Sequence, residues 1–418
     1  MADVRYDPRS CEWRDDPYPK YRELRDHAPV HYSPESDMWV VSRHADVQEI
    51  LTSPARFGSK TQFRQRRRDI AQLSTFQKVR SLIALVTDLH VLPHTLVKSR
   101  MLIMEDGEVH RVMRNLVNKG FTPRRVQAWE RRIEELVEGC MARIRGRERF
   151  DLVQELAIPL PVTVIAEWLG VEAERRETFK RWSDAIVQGG TGVEQGTAGP
   201  GSATFEAMAE LRDYLRPIVK ERRARPTADL ISILVEDDEE ARLSDFEIFY
   251  FVLLLLIAGN ETTTNLLGNC VEALLRNPDQ LDRVVAEPAR VPDLVEEALR
   301  YDSPVQFVTR VAREDSVIAG TTIPKDAIVA VMLGSANRDE RFWQDPDRFD
   351  VGRKTKGHVA FGFGAHFCLG ASLARLEARA ALAALVPELP GLVRATPELE
   401  FLDSALLRGR VRLELTAA

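Results

Sequence analysis

Cysteine is scarce in this 418-residue sequence, with four residues, Cys11, Cys140, Cys270 and Cys368, in none of the paired spacings that ligate zinc or build a disulfide framework. A structural zinc site and a disulfide-stapled fold are therefore excluded, and a reducing compartment fits. Charge of one sign is lacking too. Its 58 Lys and Arg against 64 Asp and Glu leave a net charge of -6, which gives no general attraction for nucleic acid. The N-terminus, Met1 to Asp7, has no apolar signal-peptide core. The strongest apolar run, Ile248 to Gly259, falls short of the about 20 residues that span a bilayer. No Gly-rich dinucleotide fingerprint follows a strand, and no cysteine cluster suits an iron–sulfur centre. These absences describe a cytoplasmic protein with no nucleic acid and no membrane among its partners, and with no electron source of its own.

What is present is an ordinary globular composition, 44% hydrophobic and 29% charged, enough for a large core. No linker divides the chain, so residues 1–418 read as a single domain. Near the start, His31 to Ser33 and Met38 to Ser42 alternate like the strands of a small hairpin, followed by a helix over Ala45 to Thr52. A basic cluster at Arg64, Arg66, Arg67 and Arg68 reads either as a solvated face or as a site for an acidic substrate group. Apolar residues at Val109, Val112, Met113, Leu116 and Val117 predict a helix that carries His110 and Arg114 four apart on one face. That pair suits an anionic partner, or simply decorates a surface. Helices are also predicted over Arg124 to Arg145, Leu152 to Leu169, Arg175 to Val187 and Phe205 to Arg223. Between the last two, Gly189 to Ser202 is too Gly-rich for packed structure and reads as a tolerated insertion or a lid hinge.

Ser244-Asp245-Phe246-Glu247 is a capping box. Nothing stops the helix it starts before Asn277-Pro278, so about 33 residues would span roughly 50 Å at 1.5 Å each. Ile248 to Ala258 is apolar nearly all round, which places this helix in the protein's centre. Its character then changes to Ala258-Gly259-Asn260-Glu261-Thr262-Thr263-Thr264. A mid-helix Gly costs about 1 kcal/mol against Ala, and a buried carboxylate costs several unless paired, so stability alone does not ask for this stretch. Further on, Pro292 marks the start of a helix carrying Glu297 and Arg300 on one face. Segments from Val305 to Leu333 alternate like a small antiparallel sheet, and Leu406 to Val411 reads as a hairpin tip.

The chain is organised around Phe361-Gly-Phe-Gly-Ala-His-Phe-Cys-Leu-Gly370, with an Ala-rich helical run, Leu369 to Val386, straight after it. Closely spaced glycines allow tight turns, and Cys368 lies at a helix N-terminus, where backbone N–H groups and the dipole favour a thiolate. Such a thiolate is a strong axial ligand for haem iron, and Gly370 lets it approach a macrocycle. Taken alone, Cys368 reads first as a buried structural residue, because free cysteine is among the most buried types.

Phe361, Gly362, Gly364, His366, Cys368 and Gly370, in this order, resemble the haem-thiolate loop of the cytochrome P-450 family. The resemblance spans about residues 100 to 415 and implies a mainly α fold. In that fold a single large helical domain carries small antiparallel β-sheets, with haem b (iron protoporphyrin IX) between the long central helix and the Cys-bearing helix. Cys368 is then the metal ligand. His110, Arg114 and Arg310 bind haem propionates, with His366, Phe361, Gly362 and Gly370 around the sulfur. Small residues at Ala258 and Gly259 leave room for dioxygen and a local helix opening, and Glu261 and Thr262 match the family's acid–alcohol pair for proton delivery. Glu297 and Arg300 match its Glu-x-x-Arg signature, with Arg348 in Phe342 to Phe349 as the expected third member of a structural network. Val305, Phe307 and Leu407 are expected to face substrate.

The implied activity is that of a monomeric monooxygenase, inserting one oxygen atom of dioxygen into a C–H bond of a hydrophobic small molecule. Electrons come from a ferredoxin and ferredoxin reductase, docking near Arg111, Arg375 and Arg379. Alternatives are a desaturase, an oxidative coupling enzyme, or a non-catalytic haem carrier or sensor.

Overall fold

The capping box forms as the sequence dictates. The Glu247 amide donates to Ser244 Oγ at 3.2 Å, and the Ser244 amide returns to Glu247 Oε2 at 2.9 Å. The helix it opens, Asp245–Arg276, is a continuous 32 residues and ends just before Asn277-Pro278. Among the described residues it is the one helix long and apolar enough to cross a membrane, and half of its apolar stretch is buried within the protein, as in a core helix. One face stays partly accessible: Leu254, Ile257, Ala258, Glu261 and Thr262 recur at helical spacing, while Leu253, Leu256, Asn260 and Thr263 are buried.

The structure, a computed structural model, describes residues 4–60, 100–194, 202–236 and 242–417. The basic cluster at Arg64 to Arg68 lies outside them. Helices dominate, with three small sheets. Two compact units are built from interleaved segments: Met1–Gly58, Pro123–Pro161 and Glu261–Ala418 form the first, and Ser59–Thr122 with Val162–Asn260 the second.

Among the described residues, all strands belong to the first unit. They are β1 (Val30–Ser33), β2 (Met38–Val41), β3 (Phe57–Gly58), β4 (Arg149–Asp151), β5 (Val308–Ala312), β6 (Ser316–Ile318), β7 (Thr321–Ile323), β8 (Ile328–Val331), β9 (Leu392–Arg394) and β10 (Glu414–Ala417). A five-stranded sheet runs β1-β2-β8-β5-β3, a three-stranded one β4-β10-β9, and β6 pairs β7. Pairing is antiparallel as expected, with one exception: β2 lies parallel to β8, in register Val41 with Val331. The residues explain it. Ile328 to Val331 are buried on both faces, as a central strand must be, and the β1–β2 hairpin supplies the partner on one side while β5 supplies it on the other. One face of this sheet packs Val41, Val47, Ile50, Val329 and Val359, the other Tyr21, Leu24, Met38, Val40 and Phe307.

Three helix expectations need correction. The helix expected over Arg124 to Arg145 is two, Pro123–Ala128 and Glu130–Ile144. That expected over Leu152 to Leu169 opens as a π-turn, Val153–Ala157, before Pro159–Trp168, because Pro159 has no amide to continue a ladder. In the second unit, helix Arg176–Glu194 runs on through Gly189, Gly190 and Gly192, where unpacked chain was expected. Glycine weakens a helix without forbidding it, and this one is held against Ser202–Ala224 by Thr204 Oγ1 on the Ala185 carbonyl at 3.0 Å and Trp182 Nε1 on Glu210 at 2.7 Å.

The helix after the cysteine, Ala371–Leu385, packs against Glu130–Ile144 in the first unit. On its inner face Glu377 is 2% exposed, Oε2 has no hydrogen-bond partner, and burial pushes its carboxyl up to about 8. Between the ordinary carboxylate range and about pH 8, the folded chain holds a proton that the unfolded chain has released. Folding stability therefore falls as pH rises across that window. Glu377→Gln keeps the shape without the ionisation, so urea unfolding of this variant is expected to lose the decline between pH 5 and 8 that the parent shows.

Candidate functional site: the cysteine loop and the central helix

Cys368 stands two residues before Gly370, the cap of Ala371–Leu385. The loop ahead of it is closed by its own backbone. The Cys368 amide donates to the Phe361 carbonyl at 2.9 Å, Phe367 to Gly364 at 3.1 Å, and Gly362 to Val359 at 2.8 Å. Gly364 is needed twice over, since its φ is +72° and a Cβ there would lie 2.5 Å from the Leu51 carbonyl oxygen. Phe363 and Phe367 are turned outward, and Phe367 meets Phe361 edge to face at 6.2 Å between centroids. His366 closes the 3-10 turn Gly364–His366 and is half-buried, like Cys368.

A buried ion pair supports this loop. Glu297 and Arg300 are both fully buried on Val291–Tyr301 and meet in a two-pronged contact at 2.7 Å each. Arg300 also donates to the carbonyls of Asn337, Pro346 and Arg348 at 3.0, 2.8 and 3.2 Å. The expectation that the Arg348 side chain completes the network is corrected. Arg348 is exposed and contributes its carbonyl, because its neighbour Phe349 takes the inward position at 1% exposure. The third member is Arg353, whose Nε reaches Glu297 at 3.3 Å and whose Nη2 holds the carbonyls of Asp345 and Arg348. With the Asp350 amide at 2.9 Å, Glu297 is fully satisfied. Sequence reasoning missed Arg353; the signal available was a second arginine five residues further on. It also missed Asn337, which receives the Val359 amide at 2.8 Å and donates to Ser303 Oγ.

In the first unit Arg310 lies half-buried on β5, opposite Val329, with Nη1 on the Thr309 carbonyl at 2.8 Å. Val305 and Leu407 are joined by an isolated bridge and stay half-buried. Phe307, expected to face substrate, is instead a core residue at 6% exposure. The strand starts only at Val308, so Val305 and Phe307 do not share a face as strict alternation predicts. Of the expected docking arginines in this unit, Arg379 is exposed. Arg375 is tied to Glu296 by two hydrogen bonds of 2.5 and 2.8 Å.

In the second unit His110 and Arg114 sit on Gly107–Asn118 one turn apart, His110 buried and Arg114 half-buried with Nε on Asn118 at 3.1 Å. Arg111 pairs with the exposed Glu108. On the central helix Ala258 is exposed between buried Leu256 and Asn260. Gly259 serves packing: a Cβ there would lie 2.8 Å from Ile165 Cδ1. The expected local opening is not formed, for the helix is regular through Ala258 to Thr264, and Thr264 Oγ1 bonds the Ala157 carbonyl at 2.9 Å rather than its own ladder. Glu261 and Thr262 follow, half-buried, on the accessible face.

The family model for cytochrome P450 matches residues 199–389. Cytochrome P450 107B1 of Saccharopolyspora erythraea is 40% identical over 385 residues, covering 90% of this chain and 88% of that one. The chain belongs to the cytochrome P450 family. A vitamin D(3) 25-hydroxylase of Pseudonocardia autotrophica is 37% identical over 96% of this P450 and 93% of its own length. The crystal structure of CYP109E1 from Bacillus megaterium in complex with corticosterone superposes with a TM-score of 0.81 at 35% identity, over 97% of this chain and 99% of that one.

As a P450 the chain is a haem-thiolate monooxygenase and binds haem b. The donor chemistry fits. Cys368 forms no disulfide and lies in no group of His, Cys, Asp or Glu that could hold a metal among the described residues, so it offers one sulfur. A Cβ built on Gly370 meets nothing within 4 Å, which leaves that side of the loop open.

Arg353→Ala removes one partner of a buried carboxylate and is expected to cost about 3 kcal/mol, at the low end for a broken buried pair. Arg348→Ala removes an exposed side chain and should change stability by less than about 0.5 kcal/mol. Chemical denaturation of the two variants side by side checks the reassignment.

Proposed function

We propose that this P450 hydroxylates a C–H bond of a hydrophobic, steroid-sized molecule, RH + O2 + 2e− + 2H+ → ROH + H2O, with both electrons from an external ferredoxin and its reductase. The observation that carries the reading is the single sulfur of Cys368 at the mouth of a helix, on a loop whose backbone is closed and braced. Thiolate-bound haem supplies, when bound, the dioxygen chemistry that side chains cannot.

The chain's own residues do the rest. Cys368 would hold the haem iron through its sulfur, its anion favoured by the amides at the helix start. His110, Arg114 and Arg310 would hold the propionates as cations and donors, and His366, Phe361, Gly362 and Gly370 would shape the sulfur's surroundings. Ala258, a small exposed residue on the central helix, would leave room for dioxygen. Thr262 Oγ1 passes a proton on from its hydroxyl and Glu261 restores it, since a carboxyl beside a hydroxyl on an accessible helix face can exchange protons with water. Val305 and Leu407, joined across their bridge, form an apolar wall for substrate. Arg379 lies exposed on the helix that follows the sulfur and would offer an acidic ferredoxin its contact.

The substrate class is supported by the printed activity of the vitamin D(3) 25-hydroxylase and by the corticosterone held by CYP109E1. Oxidised protein is titrated with vitamin D3, corticosterone and a long-chain fatty acid, reading the low-spin to high-spin shift. The sterol-like compounds are expected to shift the band at lower concentration than the fatty acid. Turnover with a surrogate ferredoxin and reductase should give an oxygenated product, and ligand binding without product would identify a carrier instead. Cys368→Ala is expected to lose the red-shifted carbon monoxide band of a sulfur-anion-ligated haem. Thr262→Ala should bind substrate as before while most reducing equivalents go to peroxide; fully coupled turnover in that variant overturns the proton route.

A further inference from the structure

We propose that Glu296, Arg375 and His358 form a charge-balanced clamp that positions the cysteine loop and sets the electrostatic field at its sulfur. This rests on Cys368 being the haem ligand. The three side chains come from three elements of the first unit: the helix Val291–Tyr301, the cysteine helix Ala371–Leu385, and the approach to the loop.

Glu296 stands beside the buried Glu297 but faces differently. Its carboxylate takes Arg375 Nε and Nη2 at 2.5 and 2.8 Å and His358 Nε2 at 3.0 Å. The His358 ring is fixed at its other nitrogen too, since Nδ1 accepts the Ala360 amide at 3.2 Å, so Nε2 carries the proton donated to Glu296. Arg375 lies over the Phe361 ring at 4.5 Å, and Phe361 is the residue whose carbonyl receives the Cys368 amide. One carboxylate therefore holds His358 directly and, through Arg375, the Phe361 ring, while the loop closes back onto Phe361. Burial opposes ionisation of Glu296, but the Arg375 and His358 hydrogen bonds outweigh it and hold its carboxyl down to about 2, so the anion is permanent at working pH.

The Arg375 cation over Phe361 and the Glu296 anion paired with it are opposite charges held side by side next to the loop. Removing one member leaves the other uncompensated. Glu296→Gln leaves the Arg375 cation, which favours the reduced, more negative centre; Arg375→Gln leaves the Glu296 anion, which disfavours it. The double variant restores neutrality. A brace that acted through shape alone would move the potential the same way in both single variants, and the double variant would be worse than either.

The experiment uses the haem-loaded protein, reading reduction potential, the carbon monoxide spectrum, and hydrogen exchange of the Phe361–Cys368 amides. Glu296→Gln is expected to raise the potential and Arg375→Gln to lower it, each by about threefold in the reduction equilibrium, about 30 mV for one electron. The double variant should return to within half of either shift. Amides of the loop should exchange faster in both single variants and in His358→Ala. Unmoved or same-direction potentials overturn the proposal while the parent's thiolate spectrum keeps the Cys368 assignment. Absence of that spectrum in the parent overturns both.

Discussion

The contact on which the rest of this architecture depends is the buried pair of Glu297 and Arg300. Two charges with no exposure are costly unless every donor and acceptor is met, and here they are met by backbone from distant segments: the Asn337, Pro346 and Arg348 carbonyls and the Asp350 amide. The pair therefore acts less as a source of stability than as a template. It fixes the irregular chain between Asn337 and Arg353, which has no ladder of its own to hold it. The loop with Cys368 begins where that chain ends, and Asn337 passes the constraint on directly through the Val359 amide. Adjacent residues on one helix turn divide the labour: Glu297 organises the chain up to Arg353, and Glu296 ties the residues on either side of the cysteine loop, His358 before it and Arg375 after it.

Much of this was legible in the residues. The capping box, the long central helix, the hairpin near the start and the Glu-x-x-Arg pair are local patterns, each determined by residues within one turn or one strand of each other, and local patterns survive folding. The reading faltered where partners lie far apart in the chain. Nothing in Ile328 to Val331 says that the neighbouring strand runs parallel, because that strand is supplied by a hairpin close to the N-terminus. Arg348 and Arg353 are equivalent as letters; only the burial of Phe349 turns one outward and leaves the other to reach Glu297. Phe307 misled in another way. Alternation predicts a shared face with Val305, but the regular strand begins one residue later, and the aromatic ring joins Tyr21 and Met38 in the core.

The candidate site shows the same division. The cysteine loop could be read whole because its glycines, aromatics and sulfur lie within ten residues. Gly259 could not, since a glycine in mid-helix leaves room either for a reacting molecule or for a neighbouring side chain, and the tip of Ile165 claims the space. Arg375 was legible as a surface cation, yet its partner lies on another helix, and that pairing leaves it half-buried.

The parallel seam between β2 and β8 bears on how the molecule is made. A nascent chain leaves the ribosome from its amino end, and the hairpin of β1 and β2 emerges early with an open edge whose companion strand lies most of the protein's length away. Until that companion arrives the edge is free to pair with another polypeptide, so the largest sheet is completed late and by long-range closure, the slow kind of assembly. Truncation anywhere before Val331 would strand the hairpin without its seam.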